Sequence, residues 1–248
     1  MASFNLTRFA AVLLLSIAAH STQAVTNVEA VIPPEFTDTE ADATFGLFAN
    51  TGRTYQAQYA ASHLINLPIG TAITGLSMRT NGAFTSNLPG SDVTFGDFEI
   101  TFAQAGNPLN AFSSTVADNM LNPSVVRSGA WTIEAGSFPG ADDGQANAWG
   151  PLISFDSPYT YQGGDLVILI RHTGGNTSSA APDAASYSVE NGYWARWGAT
   201  ADATTITNTA NVIVFNLHYT AVPEPSEMAL IVALGGFACV AFRRLRRQ

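Results

Sequence analysis

The stretch DLVILIRH, residues 165–172, constrains the fold more than any other part of the sequence. Five aliphatic residues follow Asp165 without interruption. Turn-forming glycines bound this run, with Gly163-Gly164 before it and Gly174-Gly175 after it. A short, continuous apolar run between such turns predicts a β-strand that is buried on both faces.

Other segments also have the composition of β-strands, with β-branched and aromatic residues spaced along them. The predicted strands are Thr71–Thr80, Val93–Ala103, Ser124–Glu134 and Asn211–Tyr219. In the second of these the apolar side switches near Gly96-Asp97, which predicts a β-bulge. Turn formers separate the segments, and no part of the body has a sustained helical period. The sequence therefore predicts an all-β fold, a single jelly-roll-like β-sandwich over residues 25–221.

The charge distribution separates this body from the end of the chain. Charged residues make up 12% of the sequence, and all ten basic residues are arginines. Between residues 25 and 222, 17 acidic residues stand against 5 arginines, a formal charge of −12. A surface of this sign repels phosphate backbones, so nucleic acid is not expected as a partner.

The cysteine content limits what can stabilise the body. The sequence has one cysteine, Cys239, close to the C-terminus. The body therefore has neither a disulfide nor a cysteine-ligated zinc site, and we expect core packing and sheet hydrogen bonds to hold it together.

The N-terminal segment has the pattern of a secretory signal peptide. Arg8 precedes the apolar run FAAVLLLSIAA, and a polar stretch then ends in Ala24. We therefore predict a signal helix over residues 1–24, with cleavage before Val25. A buried N-terminal helix is the other interpretation.

The C-terminal segment predicts a membrane anchor. Residues 228–242 form an uncharged stretch of 15 residues, which is shorter than the roughly 20 residues that usually span a bilayer. The basic cluster that follows consists of Arg243, Arg244, Arg246 and Arg247. Such a cluster is retained in the cytoplasm, which places the body outside the cell. The short span favours a transient anchor over a lasting one.

A proline-flanked motif, Val222-Pro223-Glu224-Pro225, comes just before this segment. Prolines exclude it from a helix or a central strand, so an extended, accessible peptide is expected. The motif, apolar helix and arginines over residues 222–248 together resemble the PEP-CTERM sorting signal. The resemblance implies processing by an exosortase-type enzyme at the inner membrane, then transfer to the cell surface or extracellular matrix. A linker before a permanent anchor is the alternative.

The body has a looser resemblance to a β-rich ectodomain found in many PEP-CTERM proteins of unknown function. The segments that carry it are Asp38-Thr39-Glu40, Thr54–Tyr59, Ile73–Arg79 and DLVILIR. The resemblance implies a fold and a compartment but no activity.

Residues suited to catalysis or metal binding are sparse. His63, His172 and His218 stand singly on predicted strands, and no metalloprotease, nucleophile-elbow or phosphate-loop motif is present. Two acidic clusters are weak calcium candidates because oxygen ligands suit that ion. They consist of Asp38, Glu40 and Asp42, and of Asp142 and Asp143. No cofactor is expected.

The aromatic segment at residues 193–197 gives a candidate carbohydrate contact. On a strand, Tyr193 and Trp197 share one face and Trp194 takes the other. Aromatic rings stack on sugars, but such rings also fill sandwich cores, and the core interpretation is favoured here.

Three functional hypotheses follow for the body. The first is a non-enzymatic surface or matrix protein with a structural or interaction role. The second is a module that binds carbohydrate, such as exopolysaccharide. The third and least favoured is an extracellular hydrolase, for which converging carboxylates in a cleft would be the sign.

Overall fold

The fold is all-β, as the sequence predicts. The computed structural model describes residues 27–141, 145–177 and 181–220. The strands are β1 (Asn27–Ile32), β2 (Ala43–Thr44), β3 (Arg53–Tyr59), β4 (Ala72–Ser77), β5 (Val93–Phe95), β6 (Phe98–Ala105), β7 (Met120–Arg127), β8 (Trp131–Ile133), β9 (Ile153–Thr160), β10 (Leu166–His172), β11 (Asp183–Ala185), β12 (Tyr193–Gly198), β13 (Asn208–Ala210), β14 (Val212–Ile213) and β15 (Phe215–Thr220). Short 3₁₀ turns are at Pro34–Phe36, Ala61–Leu64, Leu109–Ala111 and Val116–Asn119.

Two large antiparallel sheets contain most of the strands. The strand order is β1-β15-β4-β9 in the four-stranded sheet and β13-β12-β3-β10-β6-β7 in the six-stranded sheet. Two smaller sheets, β14-β11-β2 and β5-β8, complete the fold. Neighbouring strands are often distant in the sequence, so long-range pairing determines this architecture.

Strand β10 occupies the interior of the six-stranded sheet, between β3 and β6. Ile168 and Ile170 are fully buried in the main core. On the opposite face Leu169 packs in a second cluster with Val116 and Ile206, from loops that cover this side. The predicted burial of this strand on both faces is therefore confirmed.

Side chains from both large sheets meet in one core. Tyr59 on β3 packs edge-on against Phe215 on β15, with ring centroids 6.2 Å apart. Its hydroxyl donates to the carbonyl of Ile213 at 2.6 Å, so the buried phenol is satisfied. At the other end of the core Phe102 on β6 meets Tyr159 on β9 at 5.5 Å. The two sheets therefore pack against each other through aromatic side chains.

Two of the predicted strands are each divided in the structure. The run 93–103 breaks at Gly96-Asp97 into β5 and β6, and the run 124–134 breaks at residues 128–130 into β7 and β8. The breaks lie opposite each other, because the backbone N–H of Phe98 donates to the carbonyl of Gly129 at 2.9 Å. The change of apolar side near Gly96 therefore marks the boundary between two strands that pair with different partners. The prediction of a β-bulge within one strand at this position is wrong.

The two ends of the described chain lie side by side. Strand β1 pairs with β15 in an antiparallel register that places Asn27 opposite Thr220. The described chain therefore begins and ends at the same end of the four-stranded sheet.

The buried His172 predicts a pH dependence of stability. Its Nε2 donates to the Leu47 carbonyl at 2.6 Å, and its Nδ1 accepts the Gly174 N–H at 3.1 Å, so the ring is held neutral. Burial lowers the pKa of His172, and the nearby Arg53 lowers it further. The unfolded chain, with a pKa of about 6.5, then binds the proton more readily. Stability is therefore expected to fall as the pH decreases below about 6.5, by at most about 1.4 kcal/mol per pH unit.

Urea unfolding of the wild type and of His172→Gln at pH 7.5 and 5.5 measures this contribution. Glutamine places an uncharged amide donor near the position of Nε2, so the variant can keep the hydrogen bond to Leu47 but removes the titrating group. The wild type should lose more stability between the two pH values than the variant does. Equal losses would contradict the prediction.

Candidate functional site

Polar side chains gather on the outer face of the four-stranded sheet, the face turned away from the core. Alternation along β15 directs its odd-numbered residues toward the core and places Asn216 and His218 on the outer face. The register aligns Asn216 with Ser77 on β4 and His218 with Glu29 on β1. Three strands from distant parts of the sequence thus build one polar cluster.

Ser77, His218 and Glu29 are arranged in the order nucleophile, base and acid. The Oγ of Ser77 lies 3.3 Å from Nε2 of His218, and Nδ1 of His218 lies 3.4 Å from Oε1 of Glu29. Catalysis would require the serine oxygen to reach a substrate. Ser77 is only 2% exposed, so its burial weighs against a hydrolase at this position. These contacts instead orient the Glu29 carboxylate.

Asn216 has an unused hydrogen-bond acceptor in this cluster. Its Nδ2 donates to Oε2 of Glu29 at 2.8 Å, which fixes the orientation of the amide. Among the described residues its Oδ1 has no hydrogen-bond partner, although Asn216 is only 2% exposed. A buried acceptor without a donor costs about 1–3 kcal/mol. Oδ1 is itself covered, so the contribution of this amide to the groove is to hold Glu29.

A groove of about 330 Å³ opens beside Asn216. Its lining combines two carboxylates, two amides, one indole ring and several small or apolar side chains. These residues are Glu29, Ala30, Val31, Pro34, Thr37, Asp38, Asn66, Trp149 and Asn216. No basic side chain is among these lining residues of the described chain. The lining therefore contributes two acidic side chains and several hydrogen-bond acceptors.

A buried ion pair fixes one wall of the groove. Nε of Arg79 donates to Oδ2 of Asp183 at 3.0 Å, and neither residue is more than 2% exposed. The guanidinium also donates to three backbone carbonyls of the loop at residues 36–41, and Asp183 accepts the Ala41 N–H at 3.1 Å. These bonds hold the loop that carries Asp38.

The indole of the groove is held by the same arginine. The guanidinium carbon of Arg79 lies 4.8 Å from the centroid of the Trp149 ring, a cation–π contact. The next residue, Gly150, donates its N–H to the Met78 carbonyl at 2.8 Å. A Cβ at Gly150 would come within 2.4 Å of the Phe138 ring, so only glycine allows this close approach.

The acidic residues proposed as calcium ligands have separate surroundings. Asp38 lines the groove, whereas Glu40 and Asp42 accept backbone N–H groups of other loops at 2.6 and 2.8 Å. The backbone N–H of Ser186 lowers the pKa of Asp42. Within the described parts of the chain, no group of three metal-ligating side chains is placed to hold an ion. The second candidate pair, Asp142-Asp143, lies outside those parts.

The aromatic segment on β12 does not present its rings on one surface. Tyr193 is 3% exposed and belongs to the core. Trp197 packs against the core from the same face, with the guanidinium of Arg53 4.3 Å from its ring. Trp194 lies on the opposite face and packs edge-on against the exposed Tyr187 at 4.7 Å. Tyr193 and Trp197 thus pack in or against the core, as the favoured interpretation of the sequence predicts.

A second, polar groove of about 580 Å³ lies between the edge strands β7 and β9. Its lining is uncharged and consists of Gln104, Asn122, Ser124, Pro158, Tyr159, Thr160 and Gln162. Tyr159 is only 6% exposed, so its ring offers little surface to a ligand. The groove beside Asn216 is therefore the stronger candidate site.

The predicted sorting residues fall beyond the chain segments that the structure describes. They are Val222, Pro223, Glu224, Pro225, Arg243, Arg244, Arg246 and Arg247. Among the described residues, no helix has the length and apolar character needed to cross a membrane. No protein-family model matches this chain, and a search of curated proteins found no match.

Sequence reasoning missed the groove because its residues come from four separate parts of the sequence. The available signal was the polar pair Asn216 and His218, which follow Val212 and Val214 at alternate positions of the predicted strand. A change from apolar to polar residues at alternate positions indicates that one face of the strand carries a polar cluster. It does not indicate which distant residues complete the cluster.

Proposed function

We propose that this chain is an exported cell-surface or extracellular-matrix protein with an interaction role and no enzymatic activity. Its precursor carries a signal peptide at residues 1–24 and a PEP-CTERM sorting tail at residues 222–248. An exosortase-type enzyme processes the tail while the inner membrane anchors it transiently. The mature body then acts outside the cell.

The observation that carries this proposal is the antiparallel pairing of β1 with β15, which aligns Asn27 with Thr220. The first and last strands of the described body are thus neighbours in one sheet. This pairing supports an arrangement in which the two predicted sorting segments leave one end of the domain.

The finer fold class that we propose is a single jelly-roll-like β-sandwich over residues 25–221. Supporting it are two large antiparallel sheets that share one aromatic core. A domain held by core packing needs no disulfide, which is consistent with an exported body whose sequence lacks cysteine.

Carbohydrate binding is the second candidate function. The observation that favours it is the groove beside Asn216, which combines the Trp149 ring with carboxylate and amide acceptors. Aromatic rings pair with the apolar faces of sugars, and polar acceptors pair with their hydroxyl groups.

Intact-mass analysis of the surface-exposed protein tests the sorting proposal. The mature protein is expected to lack residues 1–24 and the basic cluster after the Pro223-Glu224-Pro225 motif. The matched control is Pro223→Ala with Pro225→Ala, which removes both rigid residues and should leave the tail uncleaved. A wild-type product that still contains residues 243–248 would contradict processing and indicate a permanent anchor.

A further inference from the structure

We infer that the groove beside Asn216 binds a sugar unit of an uncharged polysaccharide, through the Glu29 carboxylate and the Trp149 ring. This inference adds a ligand class to the interaction role proposed above and rests on it. The site differs from the aromatic segment on β12, where Tyr193 and Trp197 pack toward the core.

The first argument is an accessible carboxylate whose orientation is fixed. The side chain of Glu29 is 58% exposed and lines the groove. Its Oε2 accepts from Nδ2 of Asn216 at 2.8 Å, and its Oε1 lies 3.4 Å from Nδ1 of His218. Each carboxylate oxygen can accept a further hydrogen bond, for which a sugar hydroxyl is a suitable donor.

The second argument is the charge of the lining. Glu29 and Asp38 contribute two carboxylates, and the lining residues include no basic side chain. Uronic acids and sulfated or phosphorylated sugars would meet like charge there without a compensating cation. An uncharged sugar instead donates hydroxyl hydrogens to the carboxylates, and charge-assisted bonds of this kind are stronger than neutral ones.

The third argument is the combination of an aromatic surface with a suitable size. Trp149 is half-buried and lines the groove, so part of its ring is available for stacking on the apolar face of a sugar. The volume of about 330 Å³ is at the lower end of the range of about 300–1,000 Å³ for small-molecule sites. This size suits one or a few sugar units better than a macromolecular surface.

The site is also held rigid before any ligand arrives. The buried pair Arg79 and Asp183 fixes the loop at residues 36–41 and contacts Trp149, while His218 and Asn216 hold Glu29. Preorganised groups lose less conformational entropy on binding, which favours measurable affinity from a small contact area.

Isothermal titration calorimetry of the full chain tests the inference. The protein is purified in a polyoxyethylene detergent, because detergents with sugar headgroups would compete. The probes are tetrasaccharides of β-glucan, α-glucan and mannan, a glucosamine tetramer, a galacturonate tetramer, and calcium chloride. We expect binding of at least one uncharged tetrasaccharide and no measurable binding of galacturonate.

Two groove variants and one control assign the binding to this site. Asn216→Leu removes the amide that orients Glu29, and Trp149→Phe reduces the ring, and each is expected to weaken binding by about tenfold or more. Trp194→Ala on β12 should leave affinity within about twofold. Thermal unfolding checks that the variants are folded.

Several results would overturn the inference. These are binding of no uncharged tetrasaccharide at millimolar concentration, binding only of glucosamine, galacturonate or calcium, or affinity that Asn216→Leu and Trp149→Phe do not change. A loss on Trp194→Ala alone would place the sugar on β12 and also overturn it. Each of these results leaves the sorting proposal intact, because that proposal depends on the mass of the processed protein.

Discussion

Asp183→Ala is expected to lower the free energy of unfolding by about 3–5 kcal/mol. The wild-type carboxylate is fully buried, 3.0 Å from Nε of the buried Arg79. Removing it leaves an uncompensated guanidinium in the interior and takes acceptors from the Ala41 N–H and the Asn81 side chain. Urea or thermal unfolding measures the loss, and the melting temperature should fall by roughly 10 °C.

The ion pair can be separated from other effects by a double-mutant cycle. Arg79→Met combined with Asp183→Leu replaces both charges with apolar side chains, so it should cost less than the two single changes together. Asp202→Asn is the matched control, because Asp202 is exposed and its change should stay within about 0.5 kcal/mol. A loss below about 1 kcal/mol for Asp183→Ala would mean that this pair does not hold the loop at residues 36–41.

Ile168→Ala, in the middle of β10, is expected to destabilise the protein by about 2–5 kcal/mol. Ile168 is fully buried and lies opposite Ala57 on β3 and Phe102 on β6. Strands flank β10 on both sides and loops cover its outer face, so the surroundings have little freedom to fill the space that the lost methyl groups leave. Chemical denaturation of the variant measures this loss.

The matched control is the same substitution at Ile65. That side chain is 75% exposed, so Ile65→Ala should change stability by less than about 0.5 kcal/mol. Similar losses at both positions would contradict the assignment of β10 as the centre of the core.

Buried apolar positions make β10 and β15 visible in the sequence, whereas the equally buried β3 is missed because Thr54, Gln56 and Gln58 on it are polar. Strand β10 is almost continuously apolar, and β15 alternates between core residues and polar residues. Strand β9 was not predicted, because it is an edge strand whose exposed residues include Asp156 and Pro158. Proline is tolerated at a sheet edge, where one side needs no hydrogen bonds, but it obscures the strand in the sequence.

The histidines illustrate a different limit. His172 and His218 lie on strands as predicted, whereas the prediction of a strand at His63 is wrong, since it lies in the 3₁₀ turn Ala61–Leu64. There its Nε2 contacts the Asn191 carbonyl at 2.6 Å. A single turn of 3₁₀ helix leaves no periodic pattern that a sequence window can detect.

The candidate site could not be predicted, for a topological reason. Glu29 and Asn216 are 187 residues apart, and the pairing of β1 with β15 brings them together, while Trp149 comes from the loop before β9. No local spacing encodes such a contact. The unpaired acceptor on Asn216 is likewise visible only once every neighbouring donor has been located.

The pairing of β1 with β15 has a mechanical consequence. Strand β15 is hydrogen-bonded on both sides, to β1 and to β4, and the chain continues from its Thr220 end. Asn216 lies toward the other end of the same strand. Tension between a ligand at Asn216 and an attachment point after Thr220 would run along the strand axis. The ladders on both sides would then be loaded in shear, where their bonds resist together instead of unzipping one by one.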